Sequence, residues 1–241
     1  MTLRLNKFLA MNTGTSRRNA DEIIKSGKVV INGEKINNLA VFVNPGDEVV
    51  VNGKKINSKE DQKIYIMLNK PQGYITAVKS DDGFRTVMEL IRREALKYKH
   101  IFPVGRLDFM SEGLLLFTND GDFAYKLTHP KFNVTKTYIV EAKGELTEDL
   151  FNRIKKGIKF GEAGLLKPKN IKIIRKTPTR FMLSVDLTNG KNREIRRLME
   201  FFNLKITILK RVSIGKLYLE DLPSGQYRIL NAGIAELSLG G

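Results

Sequence analysis

Two kinds of apolar rhythm divide this chain. In the first stretch, Leu5, Phe8 and Leu9 keep helical spacing, and Ala20, Ile23 and Ile24 do so again after Ser16, a good N-cap. Gly27 ends that second helix. The rhythm then shortens to strands. Val29-Val30-Ile31 enters Asn32-Gly33, a strong two-residue hairpin signal, and the pattern Val-Val-Ile-Asn-Gly-Glu-Lys-Ile at 29–36 returns as Val-Val-Val-Asn-Gly-Lys-Lys-Ile at 49–56. Two copies predict two strand–turn units in one small α+β domain rather than a solenoid. Pro45-Gly46-Asp47 supplies another turn between them.

The polar, strand-free stretch from Asn57 to Lys63 reads as a connection. The expected division is a domain over 1–58, a linker at 59–63, and a second domain over 64–241. In the second domain, apolar runs predict strands at 64–68, 101–107, 113–118, 136–142, 171–174, 180–187, 205–209 and 226–230. Helices are expected over 84–97, 120–127, 147–156 and 191–202, and fraying after Leu230. This mixture points to an α+β fold with a mixed, largely antiparallel sheet flanked by helices.

Charge narrows the function. Lys and Arg number 42 against 26 Asp and Glu, a formal charge of +16, and such a surplus points to a polyanionic partner, nucleic acid foremost. The 241 residues contain no cysteine, which excludes disulfides and thiolate metal sites and fits a reducing compartment. His100 and His129 are too few for a histidine-built zinc site, and no apolar run is long enough to span a membrane. The start of the chain lacks a signal-peptide core, so a cytoplasmic protein is expected.

Arg17 and Arg18 follow the Ser16 cap, at a helix end whose free N–H groups suit phosphate. With Arg4, Lys7 and Lys28 they are candidates for RNA binding; Lys25 belongs to the same basic set. The run from Lys167 to Arg180 carries six cations and no acid. It reads either as a stripe tracking phosphates or as an edge strand protected by lysine.

Three strings carry candidate chemistry. Val104-Gly105-Arg106-Leu107-Asp108 places a carboxylate in a short turn before the apolar run Gly113–Phe117, with Arg106 able to meet an anionic substrate. In Lys136-Thr137-Tyr138-Ile139-Val140 the alternation puts Lys136, Tyr138 and Val140 on one strand face. In the segment from Gly190 to Phe202, Ile195, Leu198, Met199 and Phe202 form a buried helical stripe. Arg193 and Arg197 are candidates for substrate contact there. Arg196 flanks the stripe and has two possible partners, Glu200 one turn on or a buried carboxylate elsewhere, Asp108 foremost; an arginine within reach would keep such an aspartate ionised despite burial. The acidic turns Asp81-Asp82-Gly83 and Asn119–Asp122 read as caps, not calcium loops. Gly190-Lys191 lacks the earlier glycine of a P-loop, and Ser111 is not set in a nucleophile elbow.

At these residues the chain resembles a known family. Residues 3–56 resemble an S4 RNA-binding domain. Asn69-Lys70-Pro71-Gln72-Gly73, Gly105–Asp108, Gly113-Leu114-Leu115, Lys136-Thr137-Tyr138 and Gly190–Leu198 resemble, in family order, the RsuA-type ribosomal RNA pseudouridine synthases, most closely the large-subunit branch. Asn19 and Ser111-Glu112 depart from the commoner residues at their positions. The resemblance implies a pseudouridine synthase fold and isomerisation of one uridine of ribosomal RNA without a cofactor. It implies Asp108 as catalytic aspartate, Tyr138 packing on the base and able to take the C5 proton, Arg196 pairing with Asp108, and Arg106 helping to hold the extruded nucleotide. Large-subunit (23S) RNA is the expected target. The 16S RNA, or a non-catalytic role in ribosome assembly, are the alternatives. A monomer acting on ribosomal RNA or an assembly intermediate is expected.

Overall fold

A computed structural model describes residues 2–56, 62–161, 164–188 and 190–240. Backbone contacts divide the chain into two compact units, 1–62 and 63–241. The expected linker at 59–63 lies mostly outside the described residues.

The first unit opens with a two-residue strand β1 (Leu3–Arg4), helix α1 (Leu5–Thr13) and helix α2 (Arg17–Lys25). The Ser16 hydroxyl accepts from the Asn19 N–H at 3.1 Å, which satisfies one of the helix's orphan donors. Strands β2 (Val29–Ile31), β3 (Glu34–Ile36), β4 (Phe42–Val43), β5 (Val49–Val51) and β6 (Lys54–Ile56) follow. The sequence repeat is a structural one. Each Asn-Gly pair takes positive φ at both residues, 51° and 86° at Asn32-Gly33 and 49° and 75° at Asn52-Gly53, as a type I′ turn requires. The two hairpins then pair through their first strands, with Val29 opposite Val51 and Ile31 opposite Val49, in the order β3-β2-β5-β6. Their apolar side chains close on Leu5, Phe8, Leu9, Ala20 and Ile24.

The second unit is built on one mixed sheet. Its strands are β7 (Tyr65–Lys70), β8 (Phe102–Val104), β9 (Glu112–Thr118), β10 (Lys136–Lys143), β13 (Asn170–Lys176), β14 (Arg180–Leu187), β15 (Lys205–Ile214), β16 (Leu217–Tyr218) and β17 (Tyr227–Leu230), after a minor hairpin of β11 (Ile158–Lys159) and β12 (Leu165–Leu166) is set aside. The main order is β13-β14-β10-β15-β9-β7-β17. All pairs along it are antiparallel except β15 with β9.

The two halves are buried differently, and the sequence shows why. On β7 and β9, Ile66, Leu68, Leu115 and Phe117 face one core with Val87 and Ile91. Tyr65, Met67, Leu114 and Leu116 face another with Phe123 and Leu127. Both faces are covered, hence the unbroken apolar runs. On β10 and β14 only alternate residues are buried. Val140, Ala142, Phe181, Leu183 and Val185 pack on helices α6 (Glu148–Lys156) and α7 (Glu194–Phe201).

Several elements differ from expectation for local reasons. The helix expected over 84–97 is two, α3 (Val87–Leu90) and α4 (Arg92–Lys97). A capping box from Thr86 to Glu89 starts the first, and Ile91, fully buried, breaks the run. Strand β8 stops at Val104 because Gly105, at φ 72°, turns the chain. Helix α7 begins at Glu194 rather than 191, since Arg193 is left-handed at φ 50°. Strand β15 runs on to Ile214. Helix α5 (Gly121–Thr128) is capped by Asp120. The segment after Leu230 does not fray: α8 (Ala232–Glu236) is capped by Asn231, and Ala235 and Ser238 are fully buried.

Candidate active site

The site forms where the sheet changes sense. Only here do β9 and β15 run parallel, with Arg211 in register with Gly113. The approach is close: a Cβ on Gly113 would lie 2.2 Å from the Arg211 carbonyl oxygen, and its φ is 103°. Glycine is therefore required at the mouth of β9, five residues after Asp108.

Three segments converge on a pocket enclosing about 470 Å³ of open space, lined among others by Arg106, Asp108, Ser111, Tyr138, Arg193 and Arg196. Leu187, Ile195 and Leu209 give it an apolar wall. Arg196 Nε lies 3.7 Å from Asp108 Oδ2, and its NH2 donates to the Met110 carbonyl at 2.8 Å and the Ser111 hydroxyl at 3.2 Å. Of the two partners open to Arg196, Asp108 is the one it meets. Glu200 instead takes Arg193 at 3.0 Å. Burial lowers the Arg196 pKa from its ordinary value, with Asp108 opposing; a guanidinium nonetheless stays charged.

The remaining predicted residues are placed as follows. Arg106 is exposed at the pocket rim. Arg197 is not among the pocket-lining residues; it donates to Asn192 at 2.9 Å and lies over the Phe160 ring. In the first unit, Arg17 and Arg18 are exposed on the first turn of α2, Arg4 precedes α1, Lys7 lies on α1, and Lys28 is exposed before β2. The basic run 167–180 leads into β13, the outermost strand, which carries Lys172, Arg175 and Lys176, and ends at Arg180 on β14; its cations are exposed.

Three further cations near the site were given no role by the sequence. Lys70, at the end of β7, is fully buried. Its ammonium donates to the carbonyls of Ser111 at 2.8 Å, Pro71 at 3.0 Å, Asp108 at 3.2 Å and Phe109 at 3.4 Å. Burial brings it down to about 8, against the pull of Asp108 and Glu112. Arg211 is also buried; its Nε donates to the Leu114 carbonyl at 2.7 Å and its NH1 reaches the Tyr138 hydroxyl at 3.5 Å. Lys136, on the strand of Tyr138, is brought down to about 8 by burial and then by Arg211. Lysine and arginine read as surface residues in any pattern of apolar positions, so only the Asn-Lys-Pro and Lys-Thr-Tyr strings touched Lys70 and Lys136, and nothing marked Arg211. Glu194, at the start of α7, is a buried acid on the pocket wall whose pKa burial raises.

The arrangement brings a carboxylate paired with an arginine, and a phenol, to one pocket with a partly apolar wall. Among the described residues no group of three or more His, Asp or Glu side chains is placed to hold a metal, and no helix is long and apolar enough to cross a membrane.

Comparison with known proteins bears on this geometry. Residues 64–201 match the RNA pseudouridylate synthase family, and residues 3–49 match the S4 domain. An RNA pseudouridine synthase of Aquifex aeolicus is 39% identical over 97% of this chain and 92% of its own. The ribosomal large subunit pseudouridine synthase B of Bacillus subtilis is 37% identical over 94% of this chain and 91% of its own. A solved pseudouridylate synthase structure superposes with a TM-score of 0.65 at 29% identity, covering 98% of this chain and 99% of that one.

Proposed function

Because the chain belongs to the RNA pseudouridylate synthase family and carries an S4 domain, we propose that it converts one uridine of large-subunit (23S) ribosomal RNA to pseudouridine, with Asp108 as the catalytic carboxylate. The observation that carries this reading is the Asp108–Arg196 pair at 3.7 Å in the pocket that also receives Tyr138. The named large-subunit relative supports the choice of RNA.

The reaction is an isomerisation. The N1–C1′ bond breaks, the uracil turns, C5 bonds to C1′, the C5 proton leaves and N1 gains one. A uridine in a helix presents none of these atoms, so it must be everted into the pocket. Asp108 acts at the sugar, by adding to C1′ or by taking the C2′ proton, with the Arg196 guanidinium 3.7 Å from its carboxylate. Lys70 and Arg196 hold the backbone of the turn from Asp108 to Ser111, so the carboxylate meets the sugar from a fixed position. Tyr138 lies against the base and accepts the C5 proton, and the apolar wall keeps water from the detached uracil. No cofactor is needed, because nothing is oxidised or reduced. Arg106 and Arg193 at the pocket, with Arg197 beside it, hold the nucleotide and its flanking phosphates. Arg4, Lys7, Arg17, Arg18 and Lys28 dock the RNA from the S4 unit. The enzyme works as a monomer in the cytoplasm, on ribosomal RNA or an assembly intermediate.

The test is incubation with unmodified 23S and 16S transcripts and mapping of carbodiimide-dependent reverse-transcription stops. A single new stop in 23S RNA is expected, absent with Asp108→Asn, whose RNA affinity is retained. A stop in 16S RNA moves the target to the small subunit. Normal turnover by Asp108→Asn refutes the site.

A further inference from the structure

The turn that carries Asp108 has an unusual outer face. The carbonyls of Asp108, Phe109 and Ser111 all accept from the Lys70 ammonium, that of Met110 accepts from Arg196, and Phe109 also accepts from the Gly73 N–H at 3.0 Å. Every acceptor of the turn is drawn inward onto fixed donors. The side chains of Phe109 and Met110 are left outside, 39% and 52% exposed. Phe84, 52% exposed, meets Phe109 edge-on with ring centroids 5.8 Å apart. Its own backbone is tied down as well: the Phe84 N–H donates to the Ser80 hydroxyl, and the next carbonyl, of Arg85, accepts from Ile75.

Single exposed apolar residues are ordinary. Three together, on clamped backbone, beside the reacting carboxylate of an enzyme with a charge of +16, are not. The nearby charges are mixed: Arg85, lying over the Tyr74 ring, and Arg106 on one hand, the exposed Asp81-Asp82 turn before Phe84 on the other. A phosphate gains little from such a surface. A base face, uncharged and flat, suits it. Eversion of a uridine leaves a gap in the stack, and aromatic and thioether side chains fill such gaps in bent or opened nucleic acid.

We propose that Phe109 and Met110, with Phe84 as their buttress, form a rigid apolar wedge that stacks on the bases flanking the everted uridine. The wedge rests on the pseudouridine synthase reading with Asp108 at the nucleotide. It gives these residues a task distinct from the chemistry: holding structured RNA open around the target.

The test uses the full-length enzyme and its Phe109→Ser/Met110→Ser variant, both checked for unchanged thermal unfolding. Single-turnover pseudouridine formation is measured on a stem-loop containing the mapped uridine and on a short unstructured RNA of the same local sequence. The variant's loss on the stem-loop is expected to exceed its loss on the unstructured RNA by about tenfold or more, the scale of one base–aromatic stack. Phe109→Trp, which keeps an aromatic face, restores most of the rate on the stem-loop. Equal losses on both RNAs, or no loss on either, overturn the wedge while leaving the enzyme reading intact. Absence of pseudouridine with the unaltered enzyme overturns that reading, and the wedge with it.

Discussion

Replacing Lys70 by methionine separates the stability of this protein from its activity. The side chain is fully buried, and methionine fills the same space without the charge. Two well-made bonds are lost, to Ser111 at 2.8 Å and Pro71 at 3.0 Å, with two longer ones to Asp108 and Phe109. Leaving those carbonyls unsatisfied costs about 1–3 kcal/mol for each well-made bond. Against this stands the charge itself. The fall from 10.5 to about 8 means that the buried ammonium disfavours the folded state at neutral pH, by about 3 kcal/mol. The two terms nearly offset, so Lys70→Met should unfold only about 1–2 kcal/mol more easily at pH 7. The Asp108 turn, however, loses its inner anchor. A displacement near 1 Å at a reacting group is enough to cost about 100-fold in rate.

The pH dependence supplies a second signature. Below pH 8 the lysine is charged in both states, and the penalty of its burial is present in full. Between pH 8 and about 10.5 the folded state gives up its proton first, the unfolded state binds more protons, and stability from this group rises with pH. Lys136 contributes a rise of the same sign. Urea denaturation at pH 7 and pH 10 should show Lys70→Met lacking the Lys70 share of that rise, a difference between the two proteins in which other groups cancel. A folded Lys70→Met enzyme that keeps its kcat within about threefold would refute the anchoring argument. An unchanged pH response would refute the burial argument.

Arg196→Met removes the Asp108 partner and the bonds to Met110 and Ser111, and single-turnover assays should show a loss of about 100-fold or more, with stability lowered by about 1–3 kcal/mol. Arg196→Lys, keeping the charge without the fork, should recover only part of it. Gly113→Ala should lower stability by about 3 kcal/mol or more, because the methyl would collide with the Arg211 backbone. Gly33→Ala, equally left-handed at φ 86° but with nothing within 4 Å, should lose only about 1 kcal/mol; equal melting temperatures for the two variants would contradict the close approach. A chain of residues 63–241 alone should show cooperative unfolding in calorimetry and weaker RNA binding than the full chain, and failure to fold would contradict two independent units.

Much was legible in the residues alone, because it depends on local rules. Asn-Gly at 32 and 52 can only turn one way, so both hairpins were readable. The Gly113–Phe117 and 180–187 runs announced strands. The α7 stripe fell where its spacing put it. What sequence reading missed were balances between neighbours: Ile91 splitting one helix into two, and Ala235 and Ser238 finding cover that holds the C-terminal turn.

The site divides the same way. Asp108 and Arg196 stood out by residue type and setting, and Tyr138 through the family resemblance, but which acid Arg196 meets depends on chain segments nearly ninety residues apart, brought together only in the folded chain. Lys70 and Arg211 show the limit most plainly. A pattern of apolar and polar positions assigns every lysine and arginine to water. Whether a particular cation is drawn inside depends on carbonyls that face it from other strands and turns, and those are assembled only when the sheet closes.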